Sequence, residues 1–287
     1  MKNVLLIGAT GYLGSYILRE LIKQKFNITV LVRNKSKIDI QNIKFIDKII
    51  EGNLLDENTI KHQLHHVDAV ISTLGITKQK DKLTYMDVDY GINKTVLKEA
   101  LLAGVKKFIY LSVLHGEDLK HLKICEAKEL FVEELTKSDI SSTIIRPSGF
   151  FSDMRELLHM AKNGRIYLFG NGNYKANPID GEDLAKVCVE AITNNEKEIK
   201  IGGPEILTHN ELAKKAFQSI DTDVHISYIP LWFTKVMIRF LYTFTTEKIY
   251  GPVEFFLHVM AMDMYTNKYG KKKITDYYIE QSKTFKK

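Results

Sequence analysis

The chain is poor in cysteine. Cys125 and Cys188 are its two, far apart and at no metal-ligand spacing. That excludes a disulfide framework and fits a reducing compartment. It also lacks an apolar run long enough to cross a bilayer. Between Leu231 and Tyr265 it is strongly apolar, yet Lys235, Arg239, Glu247, Lys248 and Glu254 interrupt it before any stretch nears the ~18 residues a span requires. The first strand is expected at about Asn3, which leaves no room for a signal peptide. A cytoplasmic protein, soluble or peripheral to a membrane at most, is expected. Low-complexity segments and internal repeats are missing, so long disorder is not expected. The net charge of +6 is not spread over the chain: residues 268–287 hold seven lysines against Asp276 and Glu280. The body is therefore close to neutral. It offers neither an aromatic RNA platform nor a basic recognition helix, which excludes a nucleic-acid partner.

What is present, over the first two hundred residues, is alternation. "NVLLIG", "NITVLV", "IKFIDKII", "DAVISTL", "KKFIYLS" and "SSTIIRP" are short runs rich in Val, Ile and Leu, as strands buried on both faces should be. Helical periodicities fall between them at about 11–25, 56–66, 85–104 and 121–138. The fold class predicted is α/β, a doubly wound parallel sheet with a small, mostly helical C-terminal lobe. Residues 1–150 form the first domain, with 176–203 returning to it; 204–287 and 151–175 form the lobe, expected to close over the carboxyl edge of the sheet. "GNGNYKANP" reads as a loop, and "EIKIGG" as one further strand. Thr208 and Glu211 stand at capping-box spacing, where a helix should start.

The first strand runs into "IGATGYLG", residues 7–14. Gly8 permits a tight turn, Gly11 lets the backbone approach a pyrophosphate, and Gly14 lets the following helix pack on the sheet. The helix N-terminus adds amide donors and a positive dipole end. Strand before and helix after make this a dinucleotide site rather than a chance cluster of glycines. After the second strand, where an NAD site presents a carboxylate, the chain has "LVRNKSK". Arg33, with Lys35 and Lys37 near it, suits a ribose 2′-phosphate, so NADP(H) is expected over NAD(H).

In order, "GATGYLG", "EGNLLD", "DAVISTLG", "DVDYGINKTVLKEALLAGVKKFIYLS" and "STIIRPSGFF" make the first 200 residues resemble the short-chain dehydrogenase/reductase superfamily, in its atypical, extended-like branch. "IGGPEILTHNELA", "YIPLW" and "YGPVEFF" resemble a subgroup near the NmrA-like proteins and the nucleotide-binding accessory subunit of respiratory complex I. The resemblance implies that Thr10, Tyr12 and Leu13 line the pyrophosphate, and that Asn53 and Leu54 flank adenine. It places Thr73, Leu74 and Gly75 beside the ribose, and Pro147, Ser148 and Phe150 near the nicotinamide. Active members carry Tyr and Lys at i and i+4 on one helix face, the lysine binding ribose and lowering the phenol pKa. Here the segment is "ICEAK". Lys128 is present, but Ile124 stands in the tyrosine's place. Ser112 is near the site of the usual serine, although Val113 competes for that slot because neighbouring strand residues point opposite ways.

His115, in the loop after the fifth strand, is a second candidate for proton transfer; His121 is less well placed. His62 and His66 have the i, i+4 spacing of a helical metal pair but no third ligand, so they read as a surface cluster and no metal is expected. Asp183 reads as a helix-start residue. Residues 231–244 read either as a helix lining a greasy substrate pocket or as an interfacial helix, and the lysine-rich terminus either as a frayed, solvated end or as a contact with anionic membrane. Two functions follow. One is an NADP(H)-dependent oxidoreductase acting on a small, rather apolar carbonyl or conjugated substrate. The other is a non-catalytic NAD(P)-binding redox sensor, scaffold or assembly factor.

Overall fold

A computed structural model describes residues 2–77, 79 and 83–284. It has two compact units, Met1–Arg146 with Leu184–Ile199, and Pro147–Asp183 with Lys200–Lys287. The strands are β1 (Asn3–Ile7), β2 (Asn27–Val32), β3 (Lys48–Glu51), β4 (Ala69–Ser72), β5 (Lys107–Leu111), β6 (Ser141–Pro147), β7 (Ile166–Phe169), β8 (Lys175–Ala176), β9 (Glu198–Ile201), β10 (Leu207–Thr208) and β11 (Ile226–Ile229). The helices are α1 (Tyr12–Lys23), α2 (Ile40–Ile43), α3 (Asn93–Leu102), α4 (Lys123–Lys137), α5 (Arg155–Lys162), α6 (Gly181–Glu190), α7 (His209–Ser219), α8 (Leu231–Phe244), α9 (Glu247–Val259) and α10 (Ile274–Lys283).

Seven strands form one parallel sheet in the order β3-β2-β1-β4-β5-β6-β9. This is the doubly wound arrangement the alternation predicts. Val4, Leu5, Leu6 and Ile7 of β1 are all buried, as are Phe108 to Leu111 of β5, because helices cover both faces. Lys107 shares that burial by donating its Nζ to the Asn194 carbonyl at 2.9 Å. The strand order reverses between β1 and β4, and the crevice beyond their carboxyl ends is where such sheets receive ligands.

Several local expectations are corrected. Residues 56–66 are not a helix: a 3₁₀ turn at Glu57–Thr59 is followed by turns, with φ of 57° at His62 and 70° at His66. A right-handed helix cannot run through left-handed residues, so these histidines lack the helical spacing their sequence suggests. The strand expected over 43–50 is confined to β3, the preceding residues making the single turn α2. The helical stretch that the apolar residues suggest over about 252–265 instead runs from Glu247 to Val259 as α9, with Pro252 inside it. The pattern also missed the parallel pair β7 and β11. In α7 the capping box of Thr208 and Glu211 is present.

The basic terminus is tied down rather than frayed as far as residue 284. The Tyr269 amide bonds to the Gly202 carbonyl at 2.9 Å, and the Lys271 and Lys272 amides to Asp183 Oδ2 at 3.1 and 3.4 Å. The Lys272 ammonium lies 2.8 Å from Glu182 and 3.4 Å from Asp180. Ile274 and Tyr278 then bury one face of α10. Residues 285–287, which end the lysine-rich stretch, lie outside the described residues.

His209, first in α7, is 3% exposed, and its Nδ1 has no hydrogen-bond partner among the described residues. Burial pushes its pKa down from 6.5 to about 4, Asp263 opposing weakly. The unfolded chain therefore binds the extra proton first, and stability falls as pH drops from about 6.5 towards 4, by on the order of 3 kcal/mol when complete. His209→Gln should flatten urea-midpoint stability across that window by this amount. An unaltered slope would show that the imidazole is not held neutral.

Candidate functional site

The loop after β1 is built from backbone. Gly8 has φ +88°, and a Cβ there would collide with the Thr73 hydroxyl. The Gly11 amide closes the turn on the Gly8 carbonyl at 2.9 Å. At Gly14 a Cβ would strike the Gly8 carbonyl oxygen and come within 2.6 Å of its carbon, so helix and strand meet only because the side chain is missing. Gly11 differs. Its Cβ would meet only the Gly8 oxygen, at a tight 3.3 Å, a much milder encroachment than at Gly14. No side chain caps α1 at Gly11, and the first-turn amides of Tyr12, Leu13 and Gly14 have no intrahelical acceptor. A bare edge, uncapped amides and the positive end of a helix fit a pyrophosphate. Thr10 is exposed at this loop. The Leu13 side chain is buried, so only its amide faces outward.

Arg33 directly follows β2 and is exposed, as is Lys37 in the turn Lys35–Lys37. Neither makes an ion pair with another described residue. A carboxylate on this edge, Glu51, is in register with Val32. Lys35 occupies it, by amide at 3.0 Å and by ammonium at 3.4 Å, and the amide bond first of all lowers its pKa. Asn53 holds the next turn, its Oδ1 accepting from the Leu55 amide at 3.2 Å and its carbonyl from Thr59 Oγ1 at 2.8 Å. Leu54 is buried in the core with Leu31 and Ile60.

At the carboxyl end of β4, the Thr73 hydroxyl donates to the Ile7 carbonyl at 3.1 Å, and the Leu74 amide to Ser72 Oγ at 3.3 Å. Beyond them lies a buried ion pair. Lys128 Nζ sits 2.8 Å from Asp89 Oδ1; the Asp89 side chain is fully buried and that of Lys128 15% exposed. Asp89 Oδ2 takes the Ile76 amide at 3.1 Å. A Cβ on Gly75 would fall 2.5 Å from Asp89 Oδ1 and 2.8 Å from Lys128 Nζ, so this glycine makes room for the pair. Tyr110 lies beneath, its ring centre 5.6 Å from the ammonium. Burial works to lower the Lys128 pKa, but Asp89 and Tyr110 outweigh it and hold it above the ordinary lysine value; burial raises the Asp89 carboxyl, with Lys128 and the Ile76 amide opposing it. The ammonium stays charged inside the protein.

Asp89 belongs to a π-helical segment, Met86–Ile92, that leads into α3, a distortion common at functional sites. Buried Asn93 sustains it, donating to the Asp89 carbonyl at 2.9 Å and accepting from Ser72 Oγ at 2.6 Å. The sequence reading missed Asp89. Its signal was an acid among the buried positions Val88, Ile92 and Val96, which demands a partner.

The hydroxyls of the usual mechanism are not available. Ile124 is buried one turn before Lys128. The Ser112 hydroxyl donates to Glu129 Oε1 at 2.6 Å and accepts from Arg146 Nη1 at 3.2 Å. Arg146 grips both oxygens of Glu129, at 2.6 and 2.8 Å, and reaches Glu198 through Nε at 2.6 Å. Burial pushes the neighbouring Cys125 thiol up to about 12, so it is no acid at neutral pH. His115 sits in a turn at φ +58°, its Nδ1 3.4 Å from Asp118. No hydrogen bond or ion pair joins it to Lys128 among the described residues. Among these residues, too, no three His, Cys, Asp or Glu are grouped to hold a metal.

In the second unit, Pro147 closes β6, the Ser148 hydroxyl donates to the Asn177 carbonyl at 2.6 Å, and the Phe150 amide bonds to Asp153 at 3.0 Å. Ser148 is committed to the fold and offers no hydroxyl.

Comparison with known proteins gives the family and the fold. The sequence pattern of a family described as NAD(P)H-binding matches residues 8–195. The chain is 28% identical over 253 residues to the chloroplastic divinyl chlorophyllide a 8-vinyl-reductase of Arabidopsis thaliana, aligning 80% of itself to 60% of that protein's length. It is 24% identical to the photosystem II assembly factor Ycf39 of Synechocystis, over 85% of this chain and 74% of the other. Its fold matches the NADPH-dependent quinone oxidoreductase QOR2 of Escherichia coli, solved with NADPH, at a TM-score of 0.77 and 15% identity, covering 97% and 99% of the two chains.

The glycines predict opposite phenotypes. Gly14→Ala should destabilise the protein by more than about 2 kcal/mol, as overpacking against backbone does. Gly11→Ala should leave stability within about 1 kcal/mol and weaken NADPH binding at least ~10-fold, read by melting and calorimetry. Equal affinity in Gly11→Ala and wild type would remove the loop from the site.

Proposed function

The chain belongs to the NAD(P)H-binding family, and from that premise we propose that this atypical short-chain dehydrogenase/reductase reduces a conjugated, rather apolar acceptor with NADPH. The nicotinamide, when bound, supplies a hydride. The protein seats the pyrophosphate on the amides around Gly11, and Arg33 with Lys37 answers a 2′-phosphate. Lys128, fixed as a cation by Asp89 at 2.8 Å, holds ribose hydroxyls and lays positive charge beside the acceptor.

The observation that carries this reading is Ile124, buried and apolar, where related enzymes place their proton donor. Hydride addition to a simple ketone leaves a strongly basic alkoxide, which needs an acid in contact. Addition to a quinone or an enone leaves a delocalised phenolate or enolate, which a nearby cation stabilises and water can protonate. The site retains the cation and has lost the acid. The vinyl-reductase and quinone-oxidoreductase names of two similar proteins support the same class of acceptor.

A second reading, dinucleotide binding without turnover, rests on the capture of Ser112 by Glu129 and Arg146, and on the likeness to an assembly factor. NADPH oxidation against quinones, enones, simple ketones and aldehydes separates the two. Turnover is expected with the first two classes. NADPH binding with none of them reduced would establish the second reading. Asp89→Asn with Lys128→Met removes both buried charges and should lower turnover at least ~10-fold, while losing less stability than Lys128→Met alone, which strands a buried carboxylate at a cost of about 3–5 kcal/mol. Arg33→Asp should erase the preference for NADPH over NADH, measured as the ratio of kcat/KM values.

A further inference from the structure

Helix α8, which reads in sequence either as a pocket lining or as an interfacial helix, leaves a large aromatic surface uncovered. Only Thr234 of its residues is buried. Trp232 is 65% exposed, Phe240 58% and Phe244 68%, with Phe233 and Val236 exposed between them. At about 100° per residue these five side chains trace one arc of about 120°. Lys235 and Arg239, both exposed, share a stripe along one edge of that arc. The helix is anchored on its other side: Leu231 packs near Gly170, and Tyr242 hydrogen-bonds to buried Glu254 of α9. Exposed Ile249 and Lys248 at the start of α9 extend the same chemistry.

We propose that α8 and the start of α9 form a docking surface for an anionic lipid bilayer, lying in the interface without crossing it. Among the described residues no helix is long and apolar enough to span a membrane. Charge selects the occupant. The helix carries no acid, and of the two acids of α9 Glu254 is buried and Glu247 half-buried. The exposed charges of the pair, Lys235, Arg239 and Lys248, are all positive. A second copy of this chain docked face to face would bring those cations together with nothing to answer them. An anionic headgroup layer answers them, while the Trp and Phe arc enters the acyl boundary. This inference is independent of the redox reading, since it uses none of the cofactor residues.

Trp232 is the chain's only tryptophan, so its fluorescence reports on the surface directly. With vesicles of equimolar phosphatidylcholine and phosphatidylglycerol, emission should shift to shorter wavelength and acrylamide quenching should fall. Vesicles of phosphatidylcholine alone should give neither change. Lys235→Glu with Arg239→Glu should weaken partitioning at least ~10-fold, and Phe240→Ser with Phe244→Ser should abolish the shift. Both variants change exposed side chains and should keep wild-type circular dichroism and NADPH affinity. Absence of a shift with the anionic vesicles would overturn the proposal, as would binding that the charge reversal leaves untouched. A dimer in sedimentation velocity that Phe240→Ser with Phe244→Ser dissociates would reassign the face to self-association.

Discussion

Lys128 and Asp89 meet inside the protein at 2.8 Å, each opposing the neutralisation that burial imposes on the other. Either group alone would be neutralised by burial; together they form a fixed dipole at the carboxyl end of β4. Their neighbours are arranged around that need. Gly75 has no side chain where one would strike both groups. The Ile76 amide takes the second carboxylate oxygen, and Asn93 holds the π-helical segment that delivers Asp89. Through Ser72, Asn93 is tied to the strand whose end lies beside the glycine loop. The cation is thus rigidly referenced to the backbone that would hold a dinucleotide.

This rigidity bears on the chemistry. A lysine locked to a buried carboxylate is a poor proton shuttle and a good electrostatic anchor. Ser112, near the position of the usual serine, is equally locked, by Glu129 and Arg146. The site thus joins a fixed positive charge to a serine hydroxyl that the fold already engages.

The second unit follows another rule. Its interior is secured by polar anchors: Asp183 takes the amides of Lys271 and Lys272, and Asn177 donates to the carbonyls of Gly203 and Thr266. These bind the C-terminal segment to the unit. They leave α8 with its aromatic residues outward, opposite to the usual sense of an amphipathic helix on a soluble protein.

The doubly wound sheet, the dinucleotide loop and the missing tyrosine were all legible in the residues themselves, because each is a local constraint. A strand buried on both faces must read as an apolar run, and a phosphate-binding turn needs glycines within one short segment. A hydroxyl that is absent from a helix face cannot be supplied by folding. Local patterns misled where the chain departs from one regular conformation. His62 and His66 have helical spacing but left-handed backbones, and Pro252 looks like a helix start while lying inside α9. Which charges meet, and which apolar faces stay open, only the tertiary structure decided. Asp89 and Lys128, or Glu129 and Arg146, lie far apart or on different elements in sequence, and nothing in their own segments names the partner. Whether the aromatics of α8 point inward or outward depends on what the rest of the unit packs against them, a property of the assembled fold and not of the helix.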